Sequence, residues 1–113
     1  MNPNALLVVF STAPDIETAK TLGRLAVSQK CAACVQILPG ATSVYEWNGK
    51  IEEESECLLI LKTNFEHLDE LKLLILQNHP YEVPEFVAIE AEQVSDGYSA
   101  WLNDALNTKS VES

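Results

Sequence analysis

The sequence predicts an α+β fold, and three observations point there. Short apolar runs suited to buried strands alternate with stretches of helical periodicity. Read in order, they give β-α-β-β-α-β-α. In the middle, Asn48-Gly49 joins two arms rich in Val, Ile, Thr and Tyr, the strongest turn signal in the chain.

Each element has a local reason. Ala5 to Phe10 is a continuous apolar run and reads as a strand buried on both faces. Ser11-Thr12-Ala13-Pro14-Asp15 follows, where Thr12 or Asp15 can cap a helix and Pro14 tolerates only its first turn. Ile16, Ala19, Leu22, Gly23, Leu25 and Ala26 then recur at helical spacing, taking the helix to about Gln29. Ala32 to Tyr45 reads as strand, with Pro39-Gly40 demanding a bulge, a bend or an edge position. Ile51 to Thr63 is the return strand, acidic in its first half and apolar from Cys57 to Leu61. Asn64 caps a second helix with Phe65, Leu68, Leu71, Leu74 and Ile75 on its apolar face, and Asn78-His79-Pro80 stops it. Phe86 to Ile89 is a last core strand. Ser95 caps a final helix that sets Tyr98, Trp101, Leu102 and Ala105 on one face. From Asn107 onward the tail is polar and expected to fray.

Two β-α-β units sharing a hairpin form the ferredoxin-like arrangement, here with an extra C-terminal helix. The hairpin is the anomaly. Its arms run about 13–14 residues against the usual ~5–6 of a strand. A small sheet cannot pair all of that, and unpaired strand edge is covered in stable proteins, most simply by another subunit. Tyr45 and Trp47 sit on the projecting part, where exposed aromatics favour a docked partner over a hairpin curled on its own sheet.

Composition narrows the function classes. At 113 residues and 47% hydrophobic, the chain suits one domain spanning 1–113 with a single core. A net charge of −10 opposes nucleic acid and anionic membrane as partners, because both recruit Lys and Arg. No apolar run reaches the ~18–20 residues of a membrane span, and the N-terminal run lacks the flanks of a signal peptide. A cytoplasmic location is expected. Cys31, Cys34 and Cys57 are an odd count and suit free thiols in a reducing compartment.

The candidates for chemistry are few. Cys31-Ala32-Ala33-Cys34 could be a redox pair or half a metal site. It falls where a helix ends, whereas redox pairs use a helix N-terminus, and no second pair completes a zinc site; two buried small residues is the plainer reading. Alternation puts Glu52, Glu54 and Glu56 on one strand face, which could hold a hard cation or simply be solvated. His79 at a helix end is a metal-ligand type, though such a residue usually caps. His67 faces solvent in the second helix with no partner in view. With no nucleophile-plus-base set and no glycine-rich phosphate loop, enzymatic activity is not expected.

Taken together, several stretches resemble the CutA family of divalent-cation tolerance proteins. They are Ser11 to Asp15, Ala32 to Ser43, Tyr45 to Lys50, Leu61 to Thr63, His79 to Glu85 and Tyr98 to Leu102. The match runs from about residue 5 to 106, which is taken as the ordered core. The resemblance implies a ferredoxin-like homotrimer in the cytoplasm, linked to copper and other divalent metal ions that folding does not require. It also implies a hairpin that reaches into the neighbouring subunit. The positions matching the family's copper ligands are Ser11, Asn78 and His79, of which only His79 keeps the ligand type. Cys34 matches a cysteine common in the family, while Cys31 stands where an aliphatic residue is usual. Two other functions fit a trimer of this architecture. One is a PII-like signalling or small-ligand module with Trp47, Glu54, Lys62, Tyr98 and Trp101 lining a subunit cleft. The other is a structural anchor with no ligand.

Overall fold

The structure is a computed structural model that describes residues 1–107. Most of the polar tail expected to fray, residues 108–113, lies outside the described residues. Four strands and three helices run β1 (Leu6–Ala13), α1 (Ile16–Ser28), β2 (Cys34–Trp47), β3 (Lys50–Asn64), α2 (Leu68–Asn78), β4 (Val87–Glu90) and α3 (Asp96–Asn107). The sheet order is β2-β3-β1-β4, with the neighbouring strands antiparallel. Each β-α-β crossover therefore skips one strand: β3 lies between β1 and β2, and β1 lies between β3 and β4. That is the split β-α-β arrangement expected from the element order.

Local signals placed the ends of the elements. Asp15, in an extended conformation, accepts the Thr18 N–H at 2.8 Å and so caps α1, and this bond lowers its pKa. At the hairpin tip Asn48 and Gly49 have φ of 53° and 81°, the paired positive values of a type I′ turn. Pro39-Gly40 forms a bulge: the register steps from Leu38↔Leu58 to Ala41↔Glu56, so two residues of β2 oppose one of β3. Asn64 caps as expected but opens a 3₁₀ turn, Phe65–His67, before α2 begins. That turn rotates Phe65 off the apolar face, leaving it 41% exposed. It also gives His67 a partner the sequence did not suggest, since its Nδ1 lies 2.7 Å from the Asn64 Oδ1.

The main core fills the space between one sheet face and two helices. Val9 and Ala13 of β1 and Cys57, Leu59 and Leu61 of β3 meet Ala19, Leu22 and Ala26 of α1 and Leu71, Leu74 and Ile75 of α2. Gly23 lets α1 approach β2 closely: a Cβ there would stand 3.2 Å from Val35 Cγ1. The second face is only partly covered. Leu102 and Leu106 of α3 pack over Leu6 and Val8 at one end. Two expectations change here. β4 is an edge strand with all four residues exposed rather than a core strand. In α3 the buried stripe runs through Leu102 and Leu106, which leaves Trp101 49% exposed.

Replacing Asp15 with Ala removes the α1 cap. Because the folded-state pKa is depressed, the stabilisation is present above the ordinary carboxylate value near ~4. It fades as pH falls through the folded value. Urea midpoints for D15A and the parent are therefore expected to differ at neutral pH and converge in acid.

Candidate functional site

Three groups of side chains carry the polar chemistry. The first is a clamp at the C-terminal end of β1. The His79 ring lies 2.6 Å from the Thr12 carbonyl through Nε2 and accepts the Tyr81 N–H through Nδ1 at 3.1 Å. A carbonyl only accepts and a backbone N–H only donates. The ring is thus the Nε2–H tautomer, with both nitrogens engaged. Its two flanking candidates are committed to carbonyls as well. Ser11 Oγ donates to Glu85 at 2.7 Å, and Asn78 Nδ2 donates to Leu74 at 2.8 Å. So all three serve the backbone: Ser11 and His79 tie β1 to the segment that follows α2, and Asn78 bonds within α2 itself. Serine and amide groups are poor donors to copper. Among the described residues, moreover, no group of three or more His, Cys, Asp or Glu is arranged to hold a metal ion. As placed, the three residues do not make a copper donor set.

The second group centres on Glu56. Its residue is buried, yet its carboxylate is satisfied: Ser43 Oγ donates to Oε1 and Tyr81 O–H to Oε2, each at 2.6 Å. Burial, then the Glu56 carboxylate, then the charge of Glu54 push the Tyr81 phenol well above its usual pKa. The His79 and Tyr81 rings are 4.8 Å apart, so the clamp and the carboxylate form one connected network. Beyond it, the neighbouring Glu54 carboxylate raises the Tyr45 pKa as well. The hairpin register explains the clustering. Ser43↔Glu54 and Tyr45↔Glu52 are facing pairs, so Ser43, Tyr45, Glu52, Glu54 and Glu56 share one face. That face and the loop at Tyr81 line a groove of about 710 Å³, which also takes in Trp47.

The third group lies on β3 and α3. Lys62 Nζ stands 5.7 Å from the Tyr98 ring centroid, and Tyr98 is 5.5 Å from Trp101. The five residues expected to line a cleft therefore divide within one chain. Trp47 and Glu54 belong to the groove, and Lys62, Tyr98 and Trp101 to this stack.

The cysteines are plain. All three are free, with Cys31 and Cys57 buried. Burial, and secondarily Glu70, raise the Cys31 thiol pKa, the reverse of an activated redox cysteine. Sequence reasoning found the acidic face but missed its partners. Tyr81 falls between the second helix and the last strand, and the 25 residues separating it from Glu56 leave no local signal.

The family model of the CutA1 divalent ion tolerance protein matches residues 7–105. The chain belongs to the CutA1 family. A divalent-cation tolerance protein CutA of Yersinia pestis (strain Pestoides F) is 42% identical over 110 residues, covering 93% of this chain and 92% of that protein. Among solved structures, CutA from Xylella fastidiosa is 37% identical with a TM-score of 0.89, covering 91% of this chain and 99% of that one. CutA1 from Oryza sativa is 39% identical with a TM-score of 0.89, covering 93% and 96%. The CutA1 description is one of ion tolerance and names no catalysed reaction.

Two outcomes follow. Tyr81→Phe leaves the buried Glu56 carboxylate one donor short and is expected to cost about 1–3 kcal/mol in urea unfolding. Iodoacetamide should leave Cys31 and Cys57 unlabelled in the native protein and modify both after denaturation, as counted by mass spectrometry.

Proposed function

We propose that this CutA1 protein acts in divalent-cation tolerance as a cytoplasmic homotrimer joined through its long hairpin. The observation that carries the reading is the apolar surface left bare. On the second sheet face, Phe10↔Val87 and Val8↔Ile89 are facing pairs, and Val87, Ile89 and Leu38 are 48%, 54% and 46% exposed. The hairpin arm adds Val44 and Ile51, 62% and 71% exposed, on the face opposite the carboxylates. Exposed apolar residues on both faces and a long arm with open strand edges are what a stable chain covers with copies of itself. Three copies is the number the family resemblance implies. Three free thiols suit a reducing compartment.

Copper or another divalent ion is the partner this reading retains, and His79 is the side chain that would meet it. To bind metal the ring must give up the Thr12 carbonyl or the Tyr81 N–H.

Light scattering coupled to metal analysis tests both parts. A mass three times the 12.5 kDa chain is expected. Copper retained after equilibration should fall in His79→Ala while the trimer mass stays. A monomer removes the assembly reading, and copper uptake indifferent to that substitution removes His79.

A further inference from the structure

α3 crosses one end of the second sheet face, and two kinds of contact hold it there. The first is apolar: Leu102 and Leu106 are buried with Leu6, and Tyr98 packs partly buried against them. Tyr98, Leu102 and Leu106 repeat every four residues. Such a stripe fixes which face of a helix is buried. It fixes the axial position poorly, because a shift of one turn, about 5.4 Å, brings apolar residues onto apolar places again. The second contact is polar. Asn64, at the end of β3, is fully buried, and its Nδ2 donates to the Asn103 Oδ1 at 2.8 Å.

Backbone groups orient both amides. Asn103 Nδ2 donates to the Ser99 carbonyl at 2.9 Å, which turns its Oδ1 toward Asn64. Asn64 Oδ1 accepts the His67 N–H at 3.1 Å, which turns its Nδ2 toward Asn103. A carbonyl only accepts and a backbone N–H only donates, so neither amide can flip without losing a bond. The neighbouring registers lack this match. A slip that carries Tyr98 and Leu102 to the places of Leu102 and Leu106 sets Ser99, a shorter side chain, opposite Asn64. The opposite slip sets Asn107 there but gives up the apolar place of Leu106, because residue 110 is serine.

From this geometry we infer that the Asn64–Asn103 pair is a register pin, a conformational device that holds α3 in one of two axial seats and so places Tyr98 over Lys62. A buried asparagine sets register in the same way in coiled coils, where apolar packing alone leaves alternatives. Without the pin, α3 keeps its buried face and is free to ratchet by a turn. Lys62 Nζ stands 5.7 Å from the Tyr98 ring centroid, a separation close to that step, so a slipped helix takes the ring off the ammonium group. Asn103 is thus a positioning residue for Tyr98 and Trp101. The inference rests on neither the assembly nor the His79 reading.

Proton–nitrogen NMR of the full chain tests it, with the Trp101 indole as reporter and Trp47 on the hairpin as reference. The parent should give one peak for each. Asn103→Leu keeps a helix-forming side chain but removes the pin. It should add a second Trp101 peak, the ratio of the two seats moving about tenfold or more for one buried hydrogen bond lost. Asn103→Ala, which adds no bulk, should do the same. Asn103→Asp keeps an oxygen for Asn64 Nδ2, and its other oxygen can take the Ser99 hydroxyl, so a single peak should return. Leu106→Ala loses buried apolar surface and should lower the urea midpoint, yet keep one Trp101 peak. Four results overturn the inference: one Trp101 peak in both Asn103→Leu and Asn103→Ala, a second peak in Asn103→Asp, a second peak in Leu106→Ala, or a doubling shared by Trp47.

Discussion

The length mismatch between β1 and β3 governs the molecule. β1 has eight residues and pairs with Cys57 to Asn64, while β3 has fifteen. The first half of β3 therefore has a strand on one side only, and with β2 it forms a two-stranded arm. Isolated two-stranded ribbons are marginal in water. The arm holds together through the type I′ turn at its tip and the polar pairs on one of its faces. Everything distinctive here sits on that arm or at its root: the carboxylate row, the aromatic groove and the most exposed apolar residues.

Glu56 marks where arm becomes sheet. A buried carboxylate is costly unless its oxygens are bonded, and here each oxygen has a hydroxyl donor from a different segment. Tyr81 comes from the loop after α2 and Ser43 from β2. The same loop is fixed to β1 by His79. The root of the arm is thus braced on two sides by polar contacts, while the sheet proper is held by apolar packing of α1 and α2.

Much of this was legible because the signals are local. Asp15 caps through a bond three residues away, Asn48-Gly49 defines a turn by its own φ preferences, and Pro39 disrupts a ladder wherever it stands. Alternation placed Glu52, Glu54 and Glu56 on one face without any tertiary knowledge. What failed depended on neighbours. Phe65 shares the spacing of Leu68 and Leu71, yet a 3₁₀ turn shifts its direction. Phe86 to Ile89 is apolar enough for a core, but its edge position and the partial cover of α3 leave Val87 and Ile89 outside. Trp101 lies one residue from the buried Leu102, and only the packing of Leu102 and Leu106 on Leu6 fixes the phase of that helix. Tyr81 could be assigned to Glu56 only once the loop was placed in space.

The bulge at Pro39-Gly40 bears on how such a chain avoids growing without limit. β2 is the outer strand of the sheet and fourteen residues long, and an open edge of that length is a template for end-to-end addition. Pro39 has no N–H to offer, and Gly40, at φ 88°, breaks the ladder beside it. The edge is thereby cut into two short stretches on either side of a twist. A neighbouring chain can align with one stretch or adapt to the bend, but it cannot run straight along both. Such an edge is a poor template for unlimited end-to-end addition.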